Sequence, residues 1–336
     1  MTIKDLSAKT GYAVATVSRV LNDHPNVSPK ARSVIMQAVE ESGFQLNVNA
    51  KQLKQQRATS VLVIVKGTSN ELFGQLVESI QSLVAKTHYP LHVDYLDEDG
   101  DEVLRAVQLC REKKPLGILF LGGNSKNFLS HFEKIDIPCV LVTNDAAQFS
   151  FPNLSSVAAD DRQAARDAID ALVTLGHRKI AVIGGDRINS DTSRLRYEGC
   201  LLSFREHGIA FDEDLDYAGV RFSYEGGYRA AEKLLQSGRQ FTALFAIADV
   251  MAIGAIRALQ DHGLRVPQDV SVLGYDDLPL ASYLVPQLST VSQPVQQIAQ
   301  RSVDVLLSCI EGHGSTHHEV VAHKLCLRES TRSNGK

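Results

Sequence analysis

Apolar side chains recur along this chain with two different rhythms, and the change between them falls near residue 60. Upstream, short stretches carry the three-to-four-residue spacing of amphipathic helices. Thr2 is placed to cap a helix running to about Thr10, with Asp5 in its first turn and Gly11 supplying a left-handed stop. From Val14 to Asn22, Val17, Val20 and Leu21 form one stripe, while Ala15, Thr16, Ser18, Arg19 and Asn22 lie on or beside the other face. A third helix opens at Ser28-Pro29, a capping serine followed by proline at the first helical position, and stops at Gly43. Its Val34, Ile35, Ala38 and Val39 complete a three-helix core.

From Ser60 onward, short β-rich runs alternate with longer helical stretches. Val61–Val65, His92–Leu96, Ile118–Leu121 and Cys139–Val142 read as strands, with helices over Phe73–Ala85, Glu102–Arg111 and Phe128–Ile135 between them. This is one parallel αβ lobe. A second series follows, with helices over Asp160–Leu175, Ser193–His207, Tyr224–Ser237 and Ala252–His262 and strands at Ile180–Ile183, Ala243–Ile247 and Val270–Leu273. Two similar lobes imply a cleft between them, where strand ends face one another and small ligands settle.

A chain of 336 residues exceeds one ordinary domain of roughly 100–200 residues. Hydrophobic residues make up 44% and charged residues 22%, and the apolar runs are far shorter than the roughly 20 residues of a membrane span. Met1-Thr2-Ile3-Lys4-Asp5 enters a polar amphipathic pattern rather than a secretory signal, so the expected location is the cytoplasm, with no membrane partner. The five cysteines are odd in number, widely spaced and read as buried thiols. Net charge is −4, yet the first 58 residues hold eight Lys/Arg against four acids, an excess of four that leaves −8 on the rest. Such polarity suits an N-terminus that faces an anionic polymer.

Helix, tight glycine-containing turn, helix is the geometry that fits a major groove about 12 Å wide. The string Ala15-Thr16-Val17-Ser18-Arg19-Val20-Leu21-Asn22, followed in order by Val27-Ser28-Pro29, Gly43-Phe44 and Asn47-x-x-Ala50-x-x-Leu53, resembles the DNA-binding region of the lactose-repressor/galactose-repressor (LacI/GalR) family. The resemblance runs on through Leu175-Gly176-His177-Arg178-Lys179-Ile180, Asp249-x-Met251-Ala252-x-Gly254-Ala255, Gly274-Tyr275-Asp276-Asp277 and Leu327-x-Glu329-Ser330-x-Arg332, covering essentially the whole chain. It implies an all-α helix-turn-helix headpiece (1–46), a hinge helix and linker (47–58), and an α/β periplasmic-binding-protein-like domain of two doubly wound parallel-sheet lobes (59–336). The N-lobe is expected over about 60–159 and 293–321 and the C-lobe over about 160–292 and 322–332, with crossings near Ala159, Ser292 and Val321.

By position, the resemblance implies that Val14 and Ala15 choose the operator sequence and that Arg19 donates to a guanine edge. Thr16, Ser18 and Asn22 match phosphate anchors. Asn47 to Lys54, with Ala50 within it, matches a hinge that folds into a short helix on DNA, and Leu53 matches a leucine that wedges into a minor-groove step. Ile3 is grouped with these DNA-contacting residues. Ala13 departs from the family, standing where a capping serine is usual, a loss worth about 1 kcal/mol of local stability.

For the effector, Arg196 in Arg194-Leu195-Arg196-x-x-Gly199 matches an arginine whose planar fork clamps ligand oxygens, and Asp276 matches a carboxylate that accepts from ligand hydroxyls. Phe73 and Phe222 match aromatic walls, and Asp249 matches a cleft position that in many relatives serves structure. An Arg–Asp pair between lobes also reads as a structural ion pair, and Phe222 as core. Thr143-Asn144 stands where many relatives carry an aspartate, which makes Asn144 a candidate ligand contact with fewer carboxylates for hydroxyls around it. Arg221 beside Phe222 reads as an exposed arginine; the alternative is contact with an anionic effector such as a sugar phosphate.

The rival classes lack their motifs. Gly122-Gly123 and Gly184-Gly185 follow strands without completing a dinucleotide or phosphate loop, and no nucleophile elbow is present, so no catalytic residues, enzyme activity or cofactor are expected. His313, His317, His318 and His323 lack a recognised ligand spacing and read as a solvated loop, with no metal. An exported transport protein would not carry the headpiece. The expected protein is a transcriptional regulator, read as a repressor. Its partners are a pseudo-palindromic double-stranded DNA operator and a small effector, a sugar or sugar derivative with a purine or nucleoside as the alternative. No leucine heptads follow the closing motif, so a homodimer is expected, and the choice between inducer and corepressor stays open.

Overall fold

The computed structural model describes residues 3–21, 27–42, 59–68 and 70–335, with side chains from Asp5 onward. Contacts divide the chain into one unit over 1–57 and another over 58–336. In the first, α1 (Ile3–Thr10), α2 (Val14–Leu21) and α3 (Pro29–Ser42) bury Leu6, Val17, Val20, Ile35 and Ala38 together, with Tyr12, Leu21, Val27 and Val39 packed at the edge. Gly11 follows α1 with φ +74°, and its N–H closes onto Ser7 O at 3.0 Å. Ser28 Oγ accepts from Ala31 N at 3.3 Å, so α3 has its serine cap. Ala13 offers α2 only its backbone carbonyl, which accepts from Thr16 and Val17 N–H at 2.8 and 3.0 Å. Val34 points outward and buried Ala31 takes its place, because positions 31, 35 and 38 share one helical face.

In the second unit the chain winds two sheets in turn. The first lobe holds β1 (Val61–Lys66), α4 (Glu71–Val84), β2 (Leu91–Leu96), α5 (Glu102–Lys113), β3 (Gly117–Leu121), α6 (Ser125–His131), β4 (Cys139–Val142) and β5 (Leu154–Ala159). The second holds α7 (Asp161–Thr174), β6 (Ile180–Gly184), α8 (Asp191–Glu206), α9 (Glu213–Asp216), β7 (Tyr217–Gly219), α10 (Tyr224–Gln236), β8 (Ala243–Ala246), α11 (Asp249–Asp261), β9 (Ser271–Asp276) and β10 (Ser289–Ser292). Then α12 (Val295–Ile310) packs on α4, β11 (His318–Val321) joins β5, and β12 (Lys324–Cys326) joins β10. The chain therefore passes between lobes after Ala159, after Ser292 and after Val321.

The two strand orders are β2-β1-β3-β4-β5-β11 and β7-β6-β8-β9-β10-β12, the same topology twice. Every pairing is parallel except β12, which runs antiparallel beside β10. Helices cover both faces, so β3, β4, β6 and β8 are buried at every position, and their near-continuous apolar runs follow from that. In each sheet the strand order reverses between the first and third strands wound, and the crevice opens at the carboxyl ends there.

Several elements differ from the sequence reading. Helix α6 starts at Ser125 because the Asn124 side chain accepts from Lys126 N at 2.9 Å, and α11 starts at Asp249. Strands β5, β7, β10, β11 and β12 and helix α12 carry no assignment from the sequence alone, although α12 buries Ile298, Ala299, Val303, Val305 and Leu306. Cys139 and Cys200 are buried, but Cys110, Cys309 and Cys326 are only partly so; all five are free thiols. Among the described residues no helix is long and apolar enough to cross a membrane.

Helix pairs in the second lobe approach backbone to backbone through glycine. A β-carbon at Gly254 of α11 would overlap Tyr224 O, one at Gly227 of α10 would overlap Met251 O, and one at Gly199 of α8 would overlap Arg162 O. Gly254→Ala is therefore expected to force α10 and α11 apart and destabilise this domain by about 1–3 kcal/mol, read as a lowered urea midpoint with the headpiece transition unchanged.

Candidate functional site

Helix α2 turns Val17 and Val20 into the headpiece core, and that fixes which residues it presents outward. Val14, Ala15 and Arg19 are exposed and Thr16 and Ser18 half-buried, so five of the residues expected to meet DNA lie on one helix away from its packed stripe. Asn22, Asn47, Ala50, Leu53, Lys54 and the side chain of Ile3 lie outside the described residues, as do Thr2 and Gly43.

Between the two lobes lies a cavity of about 550 Å³ at the carboxyl ends of the strands. The first lobe contributes Lys66, Gly67, Thr68, Asn70, Leu72 and Phe73 from the end of β1 to the start of α4, Asp97-Glu98-Asp99 after β2, Gly122-Gly123 after β3 and Thr143-Asn144 after β4. The second contributes Asp186 and Asn189 after β6, Thr192 and Arg196 from α8, and Gly219 to Ser223 after β7. Phe73, Asn144, Arg196 and Phe222 of the expected effector residues are thus brought together. Asn144 Nδ2 donates across the cleft to Thr192 Oγ1 at 3.1 Å, while its Oδ1 is buried with no hydrogen-bond partner among the described residues. Thr143, at φ +73°, is a non-glycine residue in left-handed backbone beside the cavity.

Arg196 forms part of the cavity wall but its charge is directed behind it. Nε donates to Asp161 Oδ1 at 2.8 Å, Nη1 donates to Ile247 O at 2.5 Å, and the guanidinium lies 3.5 Å from the centre of the Tyr275 ring. Burial opposes the charge, and Asp161, Tyr275 and Asp276 more than offset it, so the guanidinium stays protonated. Asp276 sits 3.9 Å from Arg196 and Asp249 is fully buried, and neither lines the cavity. Asp249 accepts from Leu278 N at 2.8 Å and Thr290 Oγ1 at 2.6 Å, which ties the start of α11 to the turn after β9 and to β10. Asp276 accepts from Gln293 at 2.8 Å, and its Oδ2 is buried with no hydrogen-bond partner among the described residues.

Sequence reasoning missed the charged rim. Lys66 Nζ donates to Glu102 Oε2 at 2.5 Å and Gly100 O at 2.7 Å, and fully buried Glu102 also accepts from Asn124 N at 2.7 Å. Asn124 in turn donates to Asn189 O at 2.7 Å across the cleft, and Ser125 N donates to Asp191 Oδ2 at 2.6 Å. The signal was the run Asp97-Glu98-Asp99-Gly100-Asp101-Glu102, acidic side chains directly after a strand of a doubly wound lobe. Elsewhere, His318 Nδ1 lies 2.9 Å from Ser156 Oγ and His323 Nε2 lies 2.8 Å from Asp167. Among the described residues no group of three His, Cys, Asp or Glu side chains is placed to hold a metal ion.

Desolvation pushes the Asp276 carboxyl up to about 7 from an ordinary 3.8, with Arg196 and Gln293 working against that rise. The folded chain then holds a proton that the unfolded chain has already released, so this residue's contribution to stability falls as pH rises from about 4 to 7. Relative to the parent, Asp276→Asn should gain stability across that window at about 1 kcal/mol per pH unit, measured by urea unfolding at stepped pH; a flat difference would show that Asp276 ionises normally.

Comparison with known proteins agrees with this architecture. The profile of bacterial regulatory proteins of the lacI family matches residues 2–47, and that of the periplasmic binding protein-like domain matches residues 169–331. The transcriptional regulator MalR of Clostridium butyricum is 32% identical over 336 residues, with 98% of this chain and 99% of MalR covered. The ribose operon repressor of Haemophilus influenzae is 30% identical, with 99% of each chain covered. Among solved structures, the lac repressor dimer bound to operator and the anti-inducer ONPF superposes with a TM-score of 0.73 at 26% identity, covering 99% of both chains. The relatives are regulators rather than enzymes, and with similarity at this level running from the first helix to the last strand, the chain belongs to the lacI family of DNA-binding transcriptional regulators.

Proposed function

We propose that this regulator is a dimeric repressor that reads a pseudo-palindromic operator through α2 and responds to a neutral sugar or sugar derivative held between its lobes. The observation that carries the effector half is the chemistry of the cleft wall. Asn144 Oδ1 is a buried acceptor without a donor among the described residues, Asn70, Asn189, Thr192 and Ser223 surround the same space, and Phe73 and Phe222 offer apolar ring surface. A sugar presents hydroxyls at its edges and C–H groups on its faces, which suits amide and hydroxyl side chains set among aromatic rings. The volume is within the range of roughly 300–1,000 Å³ typical of small-molecule sites. The names of two relatives point the same way, one being a repressor of a ribose operon and another the lac repressor solved as a dimer on its operator.

In this reading Val14, Ala15 and Arg19 contact base edges, and Thr16, Ser18 and Asn22 hold phosphates. Asn47, Ala50, Leu53 and Lys54 form the hinge contacts with DNA. The buried Arg196–Asp161 pair keeps the cleft floor rigid, and ligand acts by changing the balance between open and closed lobes, so that effector and operator affinities are coupled reciprocally. Phe73 and Phe222 also suit the flat face of a purine, which keeps that second effector class in the screen.

Operator fragments selected from genomic DNA should carry paired half-sites, and affinity should fall steeply with salt. Arg19→Ala is expected to weaken binding to the selected operator by roughly tenfold to a hundredfold while changing binding to an unrelated duplex far less; equal losses on both would remove the base-reading role. In a thermal-shift screen of neutral sugars, nucleosides and purines, at least one sugar should raise the melting temperature and change operator affinity. Stabilisation by purines alone would transfer the cleft to the second class.

A further inference from the structure

Among the described residues three cations line the cleft, and protein carboxylates engage each of them. Lys66 is held by Glu102, and Arg196 by Asp161. Arg221, on the second lobe, reaches across to the first. There its Nη1 and Nη2 donate to the two Asp97 oxygens at 3.2 and 3.0 Å, Nη2 also donates to Asp99, and Nε lies 3.2 Å from Glu98. Beside it Tyr224 donates to Glu71, a second link between the same two edges. On the opposite flank the lobes meet through neutral or singly charged hydrogen bonds at Asn124, Ser125 and Asn144. The mouth is thus asymmetric, with a hydrogen-bonded side and an ionic side.

Two features set the behaviour of the ionic side. The first is exposure: Arg221 is 56% exposed and Asp99 72%, so each pair is weak alone and screened by salt, which suits a contact that must open. The second is sign. The cleft lining carries Asp97, Glu98, Asp99 and Asp186 against Lys66, Arg196 and Arg221, and Asp186 is held by the N–H groups of Ile188 and Asn189 rather than by a cation. With Glu102 and Asp161 behind the lysine and the buried arginine, carboxylates outnumber cations throughout the site. Among the described residues an anionic ligand meets no cation that is not already engaged.

We propose that Arg221 and the Asp97-Glu98-Asp99 loop form an ionic gate across the mouth of the cleft, holding the lobes closed over it and admitting ligands that carry no negative charge. This deepens the effector reading and rests on it only for the selectivity half. Arg221 is accordingly a gate residue rather than a receptor for a phosphate. Its fork is filled by three side chains of the facing lobe, and a ligand phosphate would have to displace them.

The chain has no tryptophan, so Phe222→Trp places a single tryptophan, excited selectively over the tyrosines, beside Arg221. Quenching of that emitter by neutral acrylamide in the ligand-free full chain reads the gate directly. Arg221→Gln should shift the open–closed balance toward open by roughly fivefold, as should the triple variant D97N/E98Q/D99N, and combining them should add little. Raising salt to about 1 M should open the parent and leave the variants unchanged. Quenching that is unaltered in both variants overturns the gate, whatever the effector proves to be. For selectivity the probe is inorganic phosphate. It should leave the parent's melting temperature unchanged and stabilise the triple variant, whose Arg221 is freed. Stabilisation of the parent that Arg221→Gln abolishes, or no gain in the triple variant, overturns the charge selection while leaving a neutral-sugar effector standing.

Discussion

Removing a guanidinium from water costs several kcal/mol unless other groups replace its hydration, and the second lobe is organised around meeting that cost for Arg196. Asp161 supplies the counter-charge, Ile247 a carbonyl and Tyr275 an aromatic face. These groups come from the start of α7, the end of β8 and the end of β9, so satisfying one side chain fixes three elements around α8. Asp161 also opens the first helix after the chain leaves the first lobe, while Gln293, hydrogen-bonded to Asp276, lies where the chain returns. The charge network thus sits beside two of the three crossings. Rotation of the lobes has to turn about this cluster rather than through it, since breaking a buried pair leaves an uncompensated charge.

Much of the fold was legible because a parallel sheet covered on both faces needs continuous apolar strands, and Val61–Val65 and Ile118–Leu121 are such strands. Family motifs supplied the rest of the architecture, and the structure gives several of them a physical reason. Gly199 and Gly254 permit helix backbones to touch, and His177 bridges Thr242 and Arg332 to fasten the C-terminal segment to the second lobe. Short edge strands such as Tyr217–Gly219 and Lys324–Cys326 carry too few residues for a period to register. Helix α12 does carry a readable stripe, with Ile298, Ala299, Ser302, Val303 and Leu306 buried and Gln296, Gln297 and Gln300 exposed on the other face, so its periodicity was available in the sequence and went unread.

The cleft was legible in part. Motif position found Phe73, Asn144, Arg196 and Phe222, but it does not separate a side chain that faces the cavity from one that stands behind it, and Asp249 and Asp276 are of the second kind. That distinction depends on the rotation of α11 and on the turn after β9, where Asp276 and Asp277 adopt φ of +118° and +58°. Neither is written in local sequence. The acidic rim was visible as a charge run yet reads as solvated surface until Arg221, more than a hundred residues away, is placed opposite it.

The threading of the chain has a consequence for how this protein is made. Each sheet receives its last strand from the segment after residue 317, β11 for the first lobe and β12 for the second. Helix α12, which covers α4, also comes from this late part of the chain. Neither lobe can complete its edge until this segment has been synthesised, and until then the open flanks of β5 and β10 present unpaired backbone to whatever else is in the vicinity. Loss of the single segment that carries β11 and β12 therefore damages both halves at once rather than trimming one.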